Sequence, residues 1–184
     1  MHGKIVHPGI TFIEDRLKGN EISHMERKMK DLSGVFEDEQ SYTTFDPEAL
    51  VYEVDSYLPV EDGTPGGLFF GLTVIHPGKV GKEYFMTKGH FHEQSDRAEY
   101  YWGIKGKGML ILMDQDRSTW GEIMTPGSLH YVPSYVAHRV ANTGIDPLAF
   151  GACWPSDAGH DYGTISDWGF SARLMEKDGV PTLE

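Results

Sequence analysis

The chain has 184 residues, a usual size for one domain, and 39% of them are hydrophobic, which is enough for a packed core. Asp and Glu number 28 against 16 Lys and Arg, and the net charge of −12 argues against a general binder of nucleic acid or of anionic membranes. One cysteine, Cys153, excludes an intrachain disulfide framework and a cysteine-based zinc finger. There is no apolar segment of membrane-spanning length and no recognisable secretory signal, so we expect a cytoplasmic protein.

The N-terminal third gives weak structural signals. Residues 5–13 are compatible with a strand, and we interpret the charged segment 25–40 as a solvated helix or turn at the edge of the domain. A clearer strand follows, because Leu50, Tyr52 and Val54 recur at every second position.

From residue 68 onward, short strand-like segments alternate with turns about every ten residues. These segments are 68–78, 84–92, 98–106, 109–114, 120–124, 129–133, 137–142, 147–154 and 172–176. No long helical period, internal repeat or linker interrupts them, so we expect one all-β domain over residues 1–184, an antiparallel barrel or sandwich.

Histidines and a carboxylate in this region form a candidate metal site. His90 and His92 are two residues apart, so on a strand their imidazoles point to the same face. The polar turn 93–97 can bring Glu99 back opposite them, and His138 lies on a later strand. Three imidazoles and one carboxylate are a plausible ligand set for a divalent transition metal.

Each of these residues also has an ordinary explanation when it is taken alone. A single His-x-His pair occurs often by chance, Glu99 fits a surface carboxylate, and His138 fits a histidine paired with backbone or with an acidic group. Their combination among the strands of one small barrel favours the metal interpretation.

Two motifs connect this pattern to a known family. G-H-F-H-x6-E at 89–99 and G-x5-P-x-Y-x2-H-x3-N at 127–142 resemble the two cupin motifs. Four longer strings are similar to the archaeal-type cupin glucose-6-phosphate isomerases, namely 77–92, 96–108, 126–144 and 155–165, the last of which contains AGHDYGTI. The six residues between His92 and Glu99, and Tyr135 in place of the usual glycine, depart from generic cupins and match this subgroup.

The resemblance implies a cupin fold, a double-stranded β-helix or jelly-roll-like barrel, with an N-terminal arm of strands and a short helix. It implies a homodimer, and we expect the arm, residues 1–48, to pack on the barrel or on the dimer partner. It also implies that His90, His92, Glu99 and His138 bind one divalent transition metal. The implied reaction interconverts glucose 6-phosphate and fructose 6-phosphate, a step of glycolysis and gluconeogenesis.

The resemblance also implies activity with several divalent metals, with iron a leading candidate for the native one. Four protein ligands leave two positions on an octahedral ion for substrate oxygens, whereas a closed tetrahedral zinc site leaves none. We therefore favour Fe2+, with Mn2+ or Ni2+ next, over Zn2+.

Aldose–ketose isomerisation needs groups that carry protons, whether it follows a cis-enediol(ate) route or a hydride shift. The resemblance gives Glu99 as the base, although a carboxylate bound to a cation is a weaker base. His160 is a second candidate proton carrier, with a structural histidine in a polar loop as the alternative.

The resemblance also implies the groups that bind the substrate. Tyr52, Thr73, Thr87 and Gly89 would hold the phosphate, while Tyr101, Tyr135 and Tyr162 could hydrogen-bond sugar hydroxyls. Taken singly, the threonines fit ordinary strand residues and the tyrosines fit core aromatics. Alternation from Thr87 predicts that Lys88 points away from the site.

Other functions stay open on the residues alone. A cupin-type non-haem iron oxygenase would use the same ligand set, although the many Tyr and Thr side chains suit a polar substrate better. A non-catalytic sugar-binding cupin would keep the fold, and the presence of all four ligand residues speaks against it. A related substrate such as mannose 6-phosphate is also possible.

Overall fold

The computed structural model describes residues 3–184, and strands dominate this range. The strands are β1 Ile10–Ile13, β2 Arg16–Gly19, β3 Ile22–Lys28, β4 Leu50–Tyr57, β5 Leu68–Ile75, β6 Lys79–Val80, β7 Glu83–Tyr84, β8 Glu99–Lys105, β9 Gly108–Met113, β10 Thr119–Met124, β11 Leu129–Val132, β12 Ala137–Asn142, β13 Leu148–Pro155, β14 Leu174–Lys177 and β15 Val180–Leu183. The helical elements are a 3-10 turn at Met29–Leu32 and two short helices, α1 Glu39–Tyr42 and α2 Gly163–Trp168. Between residues 3 and 184, no helix is long and apolar enough to cross a membrane.

The strands form antiparallel sheets that enclose the core. One sheet has six strands in the order β11-β8-β13-β5-β4-β3, and a second has the order β10-β9-β12. A four-stranded sheet, β15-β14-β7-β6, and the β1-β2 hairpin complete the fold. The six-stranded and three-stranded sheets both contribute buried side chains to one core. The all-β cupin expectation is therefore confirmed, although hydrogen bonds between strands do not close the described sheets into one barrel.

Alternation along the strands decides which side chains enter the interior. In β8, Glu99 and Tyr101 are buried, whereas Tyr100 and Trp102 between and after them are exposed. In β4, Tyr52, Val54 and Ser56 face one interior cavity, as the predicted alternation requires, although Val51 and Asp55 between them are buried as well. This two-residue period aims one set of side chains from several strands at a common interior space.

The segment 84–92 does not form the single strand that its alternation predicts. Strand β7 ends at Tyr84, and the following residues pair with β12 only through isolated bridges, among them His90 with His138. Gly89 interrupts the segment with φ = +79°, and a Cβ atom there would lie 2.8 Å from the Phe170 ring. The close approach and the positive φ both require glycine at this position.

The charged segment 25–40 also differs from its prediction. Strand β3 continues to Lys28, and the residues that follow place Met29, Leu32 and Phe36 in the core. A solvated edge element is therefore wrong for this segment, since its charged residues cover one side while its apolar residues are buried.

The N-terminal hairpin packs on the outer face of the six-stranded sheet. Arg16 binds both carboxylate oxygens of Asp55 through Nε at 2.8 Å and Nη2 at 2.7 Å, and its Nη1 donates to Glu53 at 2.8 Å. The backbone N–H of Leu17 also donates to Asp55. Strand β3 is a full member of the sheet, and residues 1–2 of the expected arm lie outside the described part of the chain.

Candidate metal centre

Four side chains place one ligand atom each in a common space inside the fold. These residues are His90, His92, Glu99 and His138, and their ligand atoms all lie within 4.8 Å of one another. Oε1 of Glu99 is 2.5 Å from Nε2 of His138 and 3.5 Å from Nε2 of His92. The last three of these residues are almost completely buried, with exposed fractions of 1–6%. The structure thus brings together the whole ligand set that the sequence predicted.

Backbone pairing fixes the position of two of the histidines. His90 and His138 oppose each other directly, with N–H···O=C hydrogen bonds of 3.2 and 3.1 Å in both directions. Their ring centroids are 4.3 Å apart. The two imidazoles therefore approach each other because their strands pair there, which makes their separation a property of the backbone.

In two of the histidines, the contact made by Nδ1 leaves Nε2 available to a metal. Nδ1 of His92 lies 3.0 Å from the carbonyl oxygen of Arg97, and Nδ1 of His138 lies 3.2 Å from that of Val136. An imidazole that donates from Nδ1 to a carbonyl presents an unprotonated Nε2, the form that binds a metal.

The ligand atoms themselves lack hydrogen-bond partners. Within residues 3–184, Nε2 of His90, His92 and His138 and Oε1 of Glu99 are buried and make no hydrogen bond of acceptable geometry. Buried polar atoms without partners are rare, because each costs free energy unless something binds it. Three imidazole nitrogens and one carboxylate oxygen that converge in this way fit a divalent transition metal.

The loop between His92 and Glu99 is held by several polar contacts. Arg97 binds both carboxylate oxygens of Asp157 through Nε at 2.9 Å and Nη2 at 2.7 Å. The backbone N–H of Gln94 donates to Ala158 at 3.0 Å. Because the backbone carbonyl oxygen of Arg97 accepts from Nδ1 of His92, the same loop orients a ligand residue.

Electrostatics in the cluster shift the pKa values of its members in opposite directions. Burial raises the pKa of the Glu99 carboxyl, but the imidazoles of His138, His92 and His90 outweigh burial and hold it well below its usual range. Burial, with His138 and His160 nearby, holds the pKa of His90 well below its usual value. For His92, burial lowers the pKa, but the Glu99 carboxylate raises it by more. At neutral pH the cluster therefore contains a charged carboxylate and a neutral His90.

A cavity opens beside the cluster and is lined by most of the predicted substrate residues. It is lined by Tyr52, Thr73, Thr87, Gly89, Tyr101, His160 and Tyr162, together with His90, Glu99 and His138. Burial raises the pKa of Tyr52 to about 12, and burial with the adjacent Glu99 raises that of Tyr101 well above its usual value. Both phenols stay protonated at neutral pH and can donate hydrogen bonds.

The string AGHDYGTI builds one wall of this cavity. The backbone of Asp161 pairs with Phe91, and its carboxylate accepts from the N–H and the hydroxyl of Thr164 at the start of α2. His160 and Tyr162, on either side of Asp161, stack with ring centroids 5.8 Å apart and an angle of 7° between their planes. The His160 ring is also 4.4 Å from that of His90. Partial loss of solvation lowers the pKa of His160, so its imidazole is neutral at pH 7.

The structure does not bring Tyr135 to the cavity. This residue lies in the turn before β12 with φ = +65°, its side chain is about half exposed, and its N–H donates to Ser95 at 2.6 Å. The turn geometry therefore holds Tyr135 against the 93–97 loop, outside the wall of the cavity.

Sequence reasoning missed several lining residues. They are Met25, Val54, Ser56, Gly71, Lys88, Phe150, Ala152 and Trp154. Strand alternation could have identified two of them, because Val54 follows Tyr52 by two residues and Gly71 precedes Thr73 by two. Lys88 also lines the cavity, in a segment that is not a regular strand, and its backbone lies next to Tyr52.

Comparisons with known proteins place the chain in a family. The family model described as glucose-6-phosphate isomerase matches residues 26–182. The chain is 49% identical over 154 residues to a glucose-6-phosphate isomerase of Thermococcus kodakarensis, covering 83% of this chain and 80% of that protein. It is 45% identical over 155 residues to the Pyrococcus furiosus protein of the same name, covering 83% and 81%.

Solved structures give a more distant resemblance. Oxalate decarboxylase from Bacillus subtilis overlaps 60% of this chain with a TM-score of 0.46 and 22% identity, and this chain spans about a quarter (26%) of its length. The family match and the relatives, which extend over most of the chain, are decisive. The chain belongs to the glucose-6-phosphate isomerase family.

Proposed function

We propose that this protein is a metal-dependent aldose–ketose isomerase that interconverts glucose 6-phosphate and fructose 6-phosphate. The observation that carries the proposal is the set of four converging ligand atoms without hydrogen-bond partners, next to a cavity lined with hydroxyl groups. Membership of the family supports the same substrate pair. Sugar hydroxyls need many polar partners, and the tyrosine and threonine hydroxyls of the cavity supply them.

One divalent metal per subunit would be held by His90, His92, Glu99 and His138. When bound, such a metal supplies a Lewis acid that stabilises negative charge on the substrate oxygens. The mixed nitrogen and oxygen ligand set suits Fe2+, Mn2+, Ni2+ and Zn2+, and of these we propose Fe2+ as the native ion.

Two groups of the cavity would carry protons. Isomerisation by proton transfer takes a proton from C2 and returns it to C1, while a second proton passes between O1 and O2. Glu99 borders the cavity and is the candidate base for the carbon-bound proton, although its low pKa weakens it as a base. His160 is neutral at pH 7, so its imidazole can relay the proton between the oxygens and assist ring opening.

The phosphate would bind at the end of the cavity formed by Tyr52, Thr73, Thr87 and Gly89. The Thr87 hydroxyl accepts from the N–H of Val140 at 3.0 Å, which leaves its own O–H free to donate. Because the chain carries a net charge of −12, these local donors have to bind a phosphate without help from long-range attraction.

Isomerase activity before and after metal removal tests the proposal. We expect purified protein to form fructose 6-phosphate from glucose 6-phosphate, to lose activity by more than about 100-fold after chelation, and to regain it with Fe2+, Mn2+ or Ni2+. His138→Ala should remain inactive after metal is returned. His76→Gln, a half-buried histidine outside the cavity, is the matched control and should respond like the wild type.

Absence of isomerisation with every metal would contradict the proposal. Oxygen consumption by the metal-loaded protein would then indicate a cupin-type oxygenase, and tight sugar binding without turnover would indicate a non-catalytic cupin. Product analysis of the same reactions detects any mannose 6-phosphate.

Metal affinity should fall as the pH is lowered. The histidine ligands bind only in their neutral form, and Glu99 raises the pKa of His92, so protons compete for His92 first. Because the pKa of His92 is raised, the fall should begin above about pH 6.5, the ordinary pKa of histidine, and the association constant for Mn2+ should then fall by up to about tenfold per pH unit for each proton displaced. Calorimetric titration across this range measures it, and a constant affinity down to pH 5 would be inconsistent with histidine ligation.

Removing one phosphate donor should weaken substrate binding selectively. Thr73→Val keeps the shape of the side chain and removes its hydroxyl, so we expect KM for glucose 6-phosphate to rise by about tenfold, the value of one hydrogen bond to a charged group. Thr73→Ser keeps the hydroxyl and is the control. An unchanged KM in Thr73→Val would remove Thr73 from the phosphate site.

We also propose a homodimer, formed through an aromatic face of the six-stranded sheet. Tyr100 and Trp102 on β8 lie opposite Tyr131 and Leu129 on β11, and all four side chains are 45–69% exposed. Contiguous apolar surface of this kind usually marks an interface, and a two-fold dimer places the same patch on both subunits. We also propose a cytoplasmic location, in keeping with a sugar phosphate substrate.

Light scattering after gel filtration tests the dimer. We expect the wild type to have twice the chain mass and the double variant Trp102→Lys/Tyr131→Lys to have the mass of one chain, because buried charges oppose association. Trp168→Lys, another exposed tryptophan but on α2, should remain dimeric. A monomeric wild type would contradict the proposal.

A further inference from the structure

A second cavity lies behind the segment that would hold the substrate phosphate. Its volume is about 70 Å³, several times the roughly 10–15 Å³ that one water needs on the same measure. Lys88, Gly89 and Tyr162 line both cavities, whereas Thr73, Thr87 and Tyr52 line only the first. The remaining wall comes from residues 33–35, Arg139, α2 with the residues after it, and Arg173.

Arg139 is the unusual residue of this cavity. Only 4% of it is exposed, and its guanidinium carbon lies 4.3 Å from the centre of the Phe170 ring. Within residues 3–184, its Nε and Nη2 atoms are buried and have no hydrogen-bond partner. A buried guanidinium with unused donors is costly, so a ligand that accepts from these donors would bind strongly.

Two other arginines of this protein show which group binds to the Nε and Nη2 atoms of a guanidinium. Arg16 and Arg97 each use Nε and Nη2 to bind both oxygens of one carboxylate, at 2.7–2.9 Å. In Arg139, no described side chain occupies the equivalent pair of donors. A planar pair of N–H groups matches two oxygens of a carboxylate or of a phosphate.

The charge around the second cavity favours an anion. Lys88, Arg139 and Arg173 line it, and no acidic side chain does so among the described residues. Glu83 is the acidic group close to this cluster and forms an ion pair with Arg173, so Lys88 and Arg139 are the cationic residues of the lining that this pair does not balance. One of the Glu83 oxygens accepts from Arg173 at 2.9 Å and the other from the N–H of Glu37 at 3.0 Å. This local positive charge contrasts with the net charge of −12 of the whole chain.

We propose that the second cavity is a binding site for a small oxyanion, the phosphate or carboxylate group of a metabolite, which accepts from Arg139. This site goes beyond the proposed isomerase function and is distinct from the substrate phosphate site. Gly89 borders both cavities and packs against Arg139, since a Cβ on Gly89 would lie 3.0 Å from the Cβ of Arg139. An anion bound here would therefore contact the segment that also borders the substrate.

NMR titration of the zinc-loaded, full-length protein tests the proposal, with inorganic phosphate as the first probe and malonate as the second. The reporters are the amides of Gly34 and Ser166, which line only the second cavity, and the Nε–H of Arg139. We expect saturable shifts of all three with at least one probe, and the probe that produces them identifies the preferred oxyanion.

Variants decide whether these shifts come from the second cavity. Arg139→Met removes the donors. Ser166→Glu adds a negative charge on α2, and because position 166 is exposed, we expect this variant to fold like the wild type. Each should weaken binding by about tenfold or more. Thr182→Glu adds the same charge on β15, outside the cavity, and should bind like the wild type.

Three outcomes would overturn the site. They are the absence of shifts at Gly34 and Ser166 with both probes, shifts that grow linearly without saturation, and equal affinity in Ser166→Glu and Thr182→Glu. Because Ser166→Glu does not touch the metal ligands, it remains informative if Arg139→Met fails to fold.

Discussion

The convergence of three imidazoles and one carboxylate in a nearly dry interior is the constraint on which the rest of this structure depends. Each ligand atom is buried and lacks a hydrogen-bond partner among the described residues, so the fold holds together groups that would otherwise be solvated. A divalent cation would satisfy all of them at once. The stability of this region should therefore be linked to metal binding, since a ligand that binds only the folded state stabilises it.

Backbone geometry, more than side-chain packing, sets this arrangement. His90 and His138 face each other across a paired bridge, and Glu99 begins β8, whose alternation also sends Tyr101 inward. Six strands in one antiparallel sheet make this frame rigid. Short segments beside this frame, such as the loop that carries His160, complete the wall of the cavity.

Much of this arrangement was predictable from local sequence patterns. Two-residue alternation and the spacing of turns predicted β4, β5 and β8 to β13, and the His-x-His spacing with Glu99 and His138 predicted the candidate ligand set. These features are predictable because they depend on one strand's own periodicity. The family resemblance, in turn, supplied the substrate, which no periodicity could indicate.

Features that depend on contacts between distant segments were not predictable. Alternation alone could not show that Gly89 interrupts its strand or that its missing Cβ makes room for Phe170, because Phe170 is distant in sequence. The same limit explains Tyr135, which the turn geometry keeps out of the cavity, and the buried Met29 in a highly charged segment. The unpaired donors of Arg139 likewise follow from tertiary burial and leave no mark in the sequence.

X-ray absorption spectroscopy of the iron- or manganese-loaded protein tests the central claim most directly, because it counts the atoms bound to the metal. The structure predicts three imidazole nitrogens and one carboxylate oxygen from the protein, with the remaining ligands exchangeable by substrate. Loss of one imidazole from the spectrum in His138→Ala would assign that ligand. A metal bound by fewer than three imidazoles in the wild type would contradict the account.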